Sequence, residues 1–372
     1  MNILRFAPAI IALVLITYNG LQGLELSSDS RTFDGWSDRV LAQNYSLSAY
    51  WQTMGGPERL YLVSMFGIAF LKDISGSAWP VAWFGTNLAF LGLIIWLFVA
   101  MGRRLGLDAR IIAGVSLLFL IPIDYLIWPR FLLTDTFFAL LIMIALWVSM
   151  MPIRGMTILL QCVVLLMMAF SRPTAIPAVI AFGMFYFMIA SGFEKASRHA
   201  LLGVAIGAVI TASAVYAGVM WAHYEQWLPK TRALDYLGSY AHEGVVIIHR
   251  GQTAISMQNE LLDYIHLFYI RFLSFYTPFS ESFSNRHAIL NGVIGLAALR
   301  LYISPPALTQ TQRRAVLMVT LLAVSVALFH TVTIIDYDFR YRYPIIAPLF
   351  LIVAIALQSS GSLRIGKRKN VA

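Results

Sequence analysis

Three charged clusters stand out from an otherwise apolar chain, and each sits where a run of hydrophobic residues begins or ends. The first spans Ser28 to Arg39 and holds Asp29, Asp34 and Asp38 with Arg31 and Arg39. Carboxylates at a membrane boundary suit a general base or a metal ligand. If the stretch is helical, Asp34 and Asp38 share a face. Asp29 then sits near the start, where its side chain would cap the helix. A capped, solvated surface helix would use the same residues.

The second cluster is Trp128 to Phe138, in which Asp135 opens an apolar run. An acid at a helix N-terminus gains about 0.3–1 kcal/mol from the macrodipole. Drawn into the bilayer it costs roughly 2.5–3.5 kcal/mol at the centre and less at the edge. The penalty can exceed the gain, so Asp135 calls for a partner, and Arg130 is a candidate. The third cluster runs from His330 to Pro344 and holds Asp336, Asp338, Arg340, Tyr341, Arg342 and Tyr343. Pro344 suits the first turn of a helix. An aromatic belt with snorkelling arginines would account for the pattern. Arginines on an outer face run against the orientation rule, however, so a specific anion is the sharper reading. A phosphate fits the guanidinium fork. Arg172, before Pro173, is a weaker case of the same kind. His330 by itself reads as an interfacial histidine satisfied locally.

The elements that must position these residues are helices. The 372 residues are 59% hydrophobic and 12% charged, and the mean hydropathy is +0.74. Apolar runs of spanning length recur, which specifies an all-α polytopic membrane protein. About ten transmembrane helices are expected: Phe6–Leu26, Trp79–Met101, Ile111–Ile127, Asp135–Met151, Met156–Phe170, Ala175–Ser191, Leu201–Ala222, Ala288–Ile303, Ala315–Ile335 and Ile345–Gln358. They form one domain over 1–372. A first outer loop covers 27–78, with Leu60–Leu71 too short to cross. A long outer loop covers 223–287, with Leu261–Tyr276 suited to the interface. Arg103, Arg104, Arg110, Arg154, Lys195, Arg198, Arg313, Arg314 and the basic tail then share the cytoplasmic side, so both termini are inside. All three acidic or arginine-rich clusters fall on the opposite face.

The +9 net charge therefore follows the positive-inside bias and is no nucleic-acid signal. The first span lacks a clear cleavage site and reads as retained. Cys162 is the single cysteine and can form no internal disulfide. No metal motif, nucleophile elbow or phosphate loop occurs.

The order of these features resembles the GT-C membrane glycosyltransferases. Three short motifs carry the likeness: Asp29 to Asp38 after the first span, Leu133 to Phe138 with its Leu-Thr-Asp-Thr-Phe-Phe, and Asp338 to Pro344 before the last span. The chain is most similar to bacterial relatives of the protein mannosyltransferase and aminoarabinose transferase group. The resemblance implies a GT-C fold in a bacterial inner membrane with the active site facing outward. It implies a donor sugar on a polyprenyl phosphate or pyrophosphate, passed usually with inversion to a lipid, glycan or protein acceptor. Asp29 and Asp135 then match the catalytic acids. Arg340 or Arg342 would contact the lipid-linked phosphate, with Tyr341, Arg172, His330, Arg130 and Asp38 as further binding candidates. The chain has Asp-Ser where several members pair two acids, so a divalent cation (Mg or Mn) on Asp29 and Asp135 is left open. It also has no large outer C-terminal domain, so acceptor recognition is left open too.

Two rival readings use intramembrane or outer charges on the same lipids. One is a transporter or flippase for polyprenyl-linked glycans, which predicts broken helices and polar residues within spans. The other is an O-antigen polymerase or ligase, which has no early base of the Asp29 kind. Clean spans with polar clusters on one face favour the transferase.

Overall fold

The computed structural model describes residues 6–191, 241–242, 245–249, 253–256, 272, 276, 285–303, 307–333 and 339–369. The architecture is helical, and its first part divides into a bundle and an amphipathic cap. Helix α1 (Ala7–Gln22) carries a proline in its first turn and stops at Gly23, whose φ of 77° suits a residue without a Cβ. The cap follows, comprising α2 (Ser28–Ala42), α3 (Leu47–Thr53), a 3₁₀ turn over Gly56–Tyr61 and α4 (Leu62–Ser75).

Apolar residues at helical spacing give the cap its own core. Phe33 and Val40 of α2 meet Tyr50, Met54, Met65 and Ile68, closed by Trp83, Leu132 and Leu133. Tyr50 donates to the Glu58 carbonyl at 3.0 Å. Burial, and then the Glu58 carboxylate, push its phenol well up, so it stays a donor. Buried Lys72 of α4 staples the polar side of α2 by pairing with Asp34 and with Asp38, the latter at 2.7 Å. Asp34 and Asp38 do share a face, as their spacing requires.

The bundle comprises α5 (Trp79–Arg104), α6 (Ala109–Ser116), α7 (Asp124–Ile127), α8 (Asp135–Ser149), α9 (Gly155–Ala169), α10 (Ile176–Ala190), α11 (Asn285–Ile303), α12 (Gln310–Thr333) and α13 (Tyr343–Lys369). Helix α8 and the apolar part of α13 are buried on nearly all sides, as expected of helices that are hydrophobic all round. They pack on each other, with α5 and α9 also against α8 and α11 and α12 against α13.

Four helical stretches among the described residues are long and apolar enough to cross a membrane: Glu58–Arg104, Pro173–Ala190, Gln310–Phe329 and Arg340–Ser359. A fifth is counted if the bent pair Ala109–Leu120 and Asp124–Arg130 is one span. Helices α1, α8 and α9 are apolar but shorter. The expected span Leu201–Ala222 and the interfacial helix at Leu261–Tyr276, apart from Phe272 and Tyr276, lie outside the described residues. Within the expected outer loop 223–287, three short antiparallel strands stand in the order β1 (Ala241–His242), β2 (Val245–His249), β3 (Thr253–Ser256).

One expected span is corrected. Ile111–Ile127 is not a clean helix but two segments bent by 69°. Pro122 lies at the break. Its ring clashes with the preceding turn, and it has no N–H to continue the ladder.

Candidate active site

Four charged side chains from distant parts of the chain meet in one network. Arg340 is its hub. Its Nη1 donates to Asp29 Oδ2 at 2.5 Å and its Nε donates to Asp135 Oδ2 at 2.9 Å. The other oxygen of Asp135 accepts from Arg172 Nη1. Among the described residues each buried guanidinium has a carboxylate partner, and Asp135 is paired twice, as buried charges require.

Local structure explains why each residue is there. Asp135 is the first residue of α8, where its carboxylate gains from the helix N-terminus. Arg172 sits between α9 and α10, on a turn anchored to α4: Val63 N–H donates to the Phe170 carbonyl at 2.8 Å and Ser64 Oγ to the Ser171 carbonyl at 2.7 Å. Arg340 lies in a 3₁₀ turn over Phe339–Arg342 that leads into α13, with Pro344 in the first turn. Asp29 lies in the first turn of α2.

Exposure separates the two acids. The Asp135 side chain is 0% exposed and that of Asp29 is 48% exposed. Both Asp135 oxygens are occupied by arginines, so it orients rather than accepts a proton. Asp29 is the carboxylate an incoming group could reach.

Aromatic rings border the network. The guanidinium of Arg340 lies 6.0 Å from the Trp128 ring centroid, and that of Arg172 lies 5.7 Å from Phe138. Tyr61 is within electrostatic range of Asp29, Asp135, Arg172 and Arg340, and its ring packs at 5.2 Å from Phe33 and 5.6 Å from Trp36. The Trp128 indole N–H donates to buried Asp124 at 3.2 Å, and His287 Nε2 lies 3.4 Å from the other oxygen of Asp124. Asp124, His287 and Tyr61 escape a reading by type and spacing. Asp124 and His287 look like isolated polar residues in sequence, and Tyr61 like one of 17 tyrosines. Pro122, two residues before Asp124, was the available signal of a break.

The remaining candidates fall elsewhere. Arg130 is not the partner of Asp135. Its Nε donates to the Gly23 carbonyl and its Nη2 to Glu25, both at 3.1 Å, while Glu25 N–H bonds back to the Arg130 carbonyl. It therefore ties the end of α1 to the turn before α8. Asp38 pairs with Lys72. Arg342 is buried and bonds to Asn291 of α11. Tyr341 is half-buried beside these residues. The side chains of His330, Asp336 and Asp338 lie outside the described residues. Asp29 does not cap α2. Ser27 does so, exchanging bonds reciprocally with Ser30, which leaves the Asp29 carboxylate for Arg340.

Arginines lie on both carboxylates, and no group of three or more His, Cys, Asp or Glu suited to a metal occurs among the described residues. No family model matches the chain, and no curated protein and no solved structure matches it either.

Proposed function

We propose that this protein is a GT-C-like membrane glycosyltransferase, working in a bacterial inner membrane with about ten spans. Both termini lie in the cytoplasm and the charged network faces outward. Its donor is a sugar on a polyprenyl phosphate, and its acceptor is a hydroxyl of a lipid, glycan or protein. The observation that carries this reading is the 2.5 Å pairing of half-exposed Asp29 with an arginine anchored on fully buried Asp135. A reachable carboxylate beside an anchored guanidinium supports a base next to a phosphate-binding cation.

The reaction needs only these groups. The acceptor oxygen attacks the anomeric carbon while the Asp29 carboxylate takes its proton, a role typically worth about 10²–10⁴-fold. The bond from the anomeric carbon to the phosphate oxygen breaks, and its electron pair leaves with the polyprenyl phosphate. Arg340 stabilises that charge. Arg172 supports it through Asp135 and keeps its Nε as a buried donor with no acceptor among the described residues. Tyr61 and Trp36 offer rings for the sugar face, and the apolar helices accept the polyprenyl chain. The test is Asp29→Asn in membranes given a labelled lipid-linked sugar. Loss of transfer in a folded variant is expected, and near wild-type transfer would refute the base assignment.

A second reading, a flippase for the same lipids, is favoured by one observation. The pair of helices bent by 69° has buried Asp124 just after its break, and broken helices with intramembrane acids are transporter features. Release of free polyprenyl phosphate distinguishes the two, because a flippase returns its lipid intact.

A further inference from the structure

We infer that Arg340 holds Asp29 until the donor phosphate arrives, so that donor binding itself uncovers the base. This rests on the reaction proposed above. The two ion pairs of Arg340 differ in how easily they part. Its Nε bond ends on an Asp135 carboxylate that is 0% exposed, and Asp135 is held again by Arg172. Its Nη1 bond to Asp29 ends on a carboxylate that is 48% exposed. Water can replace Arg340 on Asp29, whereas nothing among the described residues can replace it on Asp135. Exposed pairs are weak and buried ones resist separation.

An arriving phosphate meets this asymmetry. It is a better partner for a guanidinium than a single carboxylate oxygen, because its two non-bridging oxygens share the charge and can take two N–H donors of the fork at once. It therefore takes the Nη side of Arg340 from Asp29, while Asp135 keeps the Nε side fixed. Asp29 is left as a carboxylate beside the anomeric carbon, its negative charge no longer spent on the arginine. An acceptor that enters first finds the base occupied, so the order is donor first.

The distinguishing consequence is that Asp29 competes with the ligand. Asp29→Asn removes the competitor and should bind a polyprenyl phosphate about fivefold more tightly than wild type. The probe is a polyprenyl phosphate titrated into the purified full chain in detergent, with the matching polyprenol as a phosphate-free control. In an Arg340→Gln background the same change should give no gain. Asp29→Ala, checked for folding by size-exclusion chromatography, repeats the test without the amide. Unchanged or weaker binding in both Asp29 variants overturns the hand-over. If those variants have also lost transfer, the proposed reaction stands without it. If the wild-type chain cannot tell the phosphate from the alcohol, both fall.

Discussion

Replacing Asp135 by Asn tests the idea that it anchors the site rather than reacting in it. Arg172 and Arg340 are 3% and 14% exposed, and the substitution would leave them facing each other across a neutral amide. Breaking a buried ion pair by removing one partner costs about 3–5 kcal/mol. Asp29→Asn removes an acid from the same network, but a half-exposed one, and exposed pairs contribute about 0–1 kcal/mol. The two variants should therefore differ by about 3 kcal/mol, or about 4 °C in melting temperature for a chain of this size. The assay is thermal unfolding in detergent, followed by the fraction that remains monodisperse. Adding Arg172→Met to Asp135→Asn removes the stranded charge and should restore part of the loss. If Asp135→Asn melts together with Asp29→Asn, the anchoring role is wrong.

Arg340→Lys keeps the charge but loses the planar fork that sets Nε on Asp135 and Nη1 on Asp29 at once, so transfer should fall at least about 10²-fold while the chain still folds. Asp38→Asn should leave transfer within about twofold of wild type, because Asp38 pairs with Lys72 and is mostly exposed. Lys72→Met should lower stability by about 1–2 kcal/mol by unclamping α2 from α4, since the two acids it abandons can turn to water. Melting curves and turnover of the same preparations check all three.

The residues of the site could be picked out by type, but their partners could not. Asp29, Asp135, Arg172 and Arg340 stand out because a charge beside an apolar run needs a reason. Asp135 finds its arginines 37 and 205 positions away, whereas Arg130, the near neighbour in sequence, turns to Glu25 105 positions away. Pairing in a helical bundle is decided by which helix ends meet, and short motifs carry no record of that. The cap on α2 shows the same limit at close range. Ser27 and Asp29 are both capping residues, and only the point at which the chain enters the helix selects between them. The helical class was legible from hydropathy, which depends on length and composition alone. The broken helix was not, although Pro122 marked it, because a continuous apolar run hides one proline when judged by length.

The most direct test of the whole account is the fate of a lipid-linked sugar. The purified chain would be reconstituted in vesicles with a panel of labelled polyprenyl-phosphate sugars, and free polyprenyl phosphate would be measured over time. The account predicts its release by the wild-type chain with at least one donor, coupled to a labelled acceptor and lost in Asp29→Asn. Label that crosses the bilayer with the sugar–phosphate bond intact would contradict it.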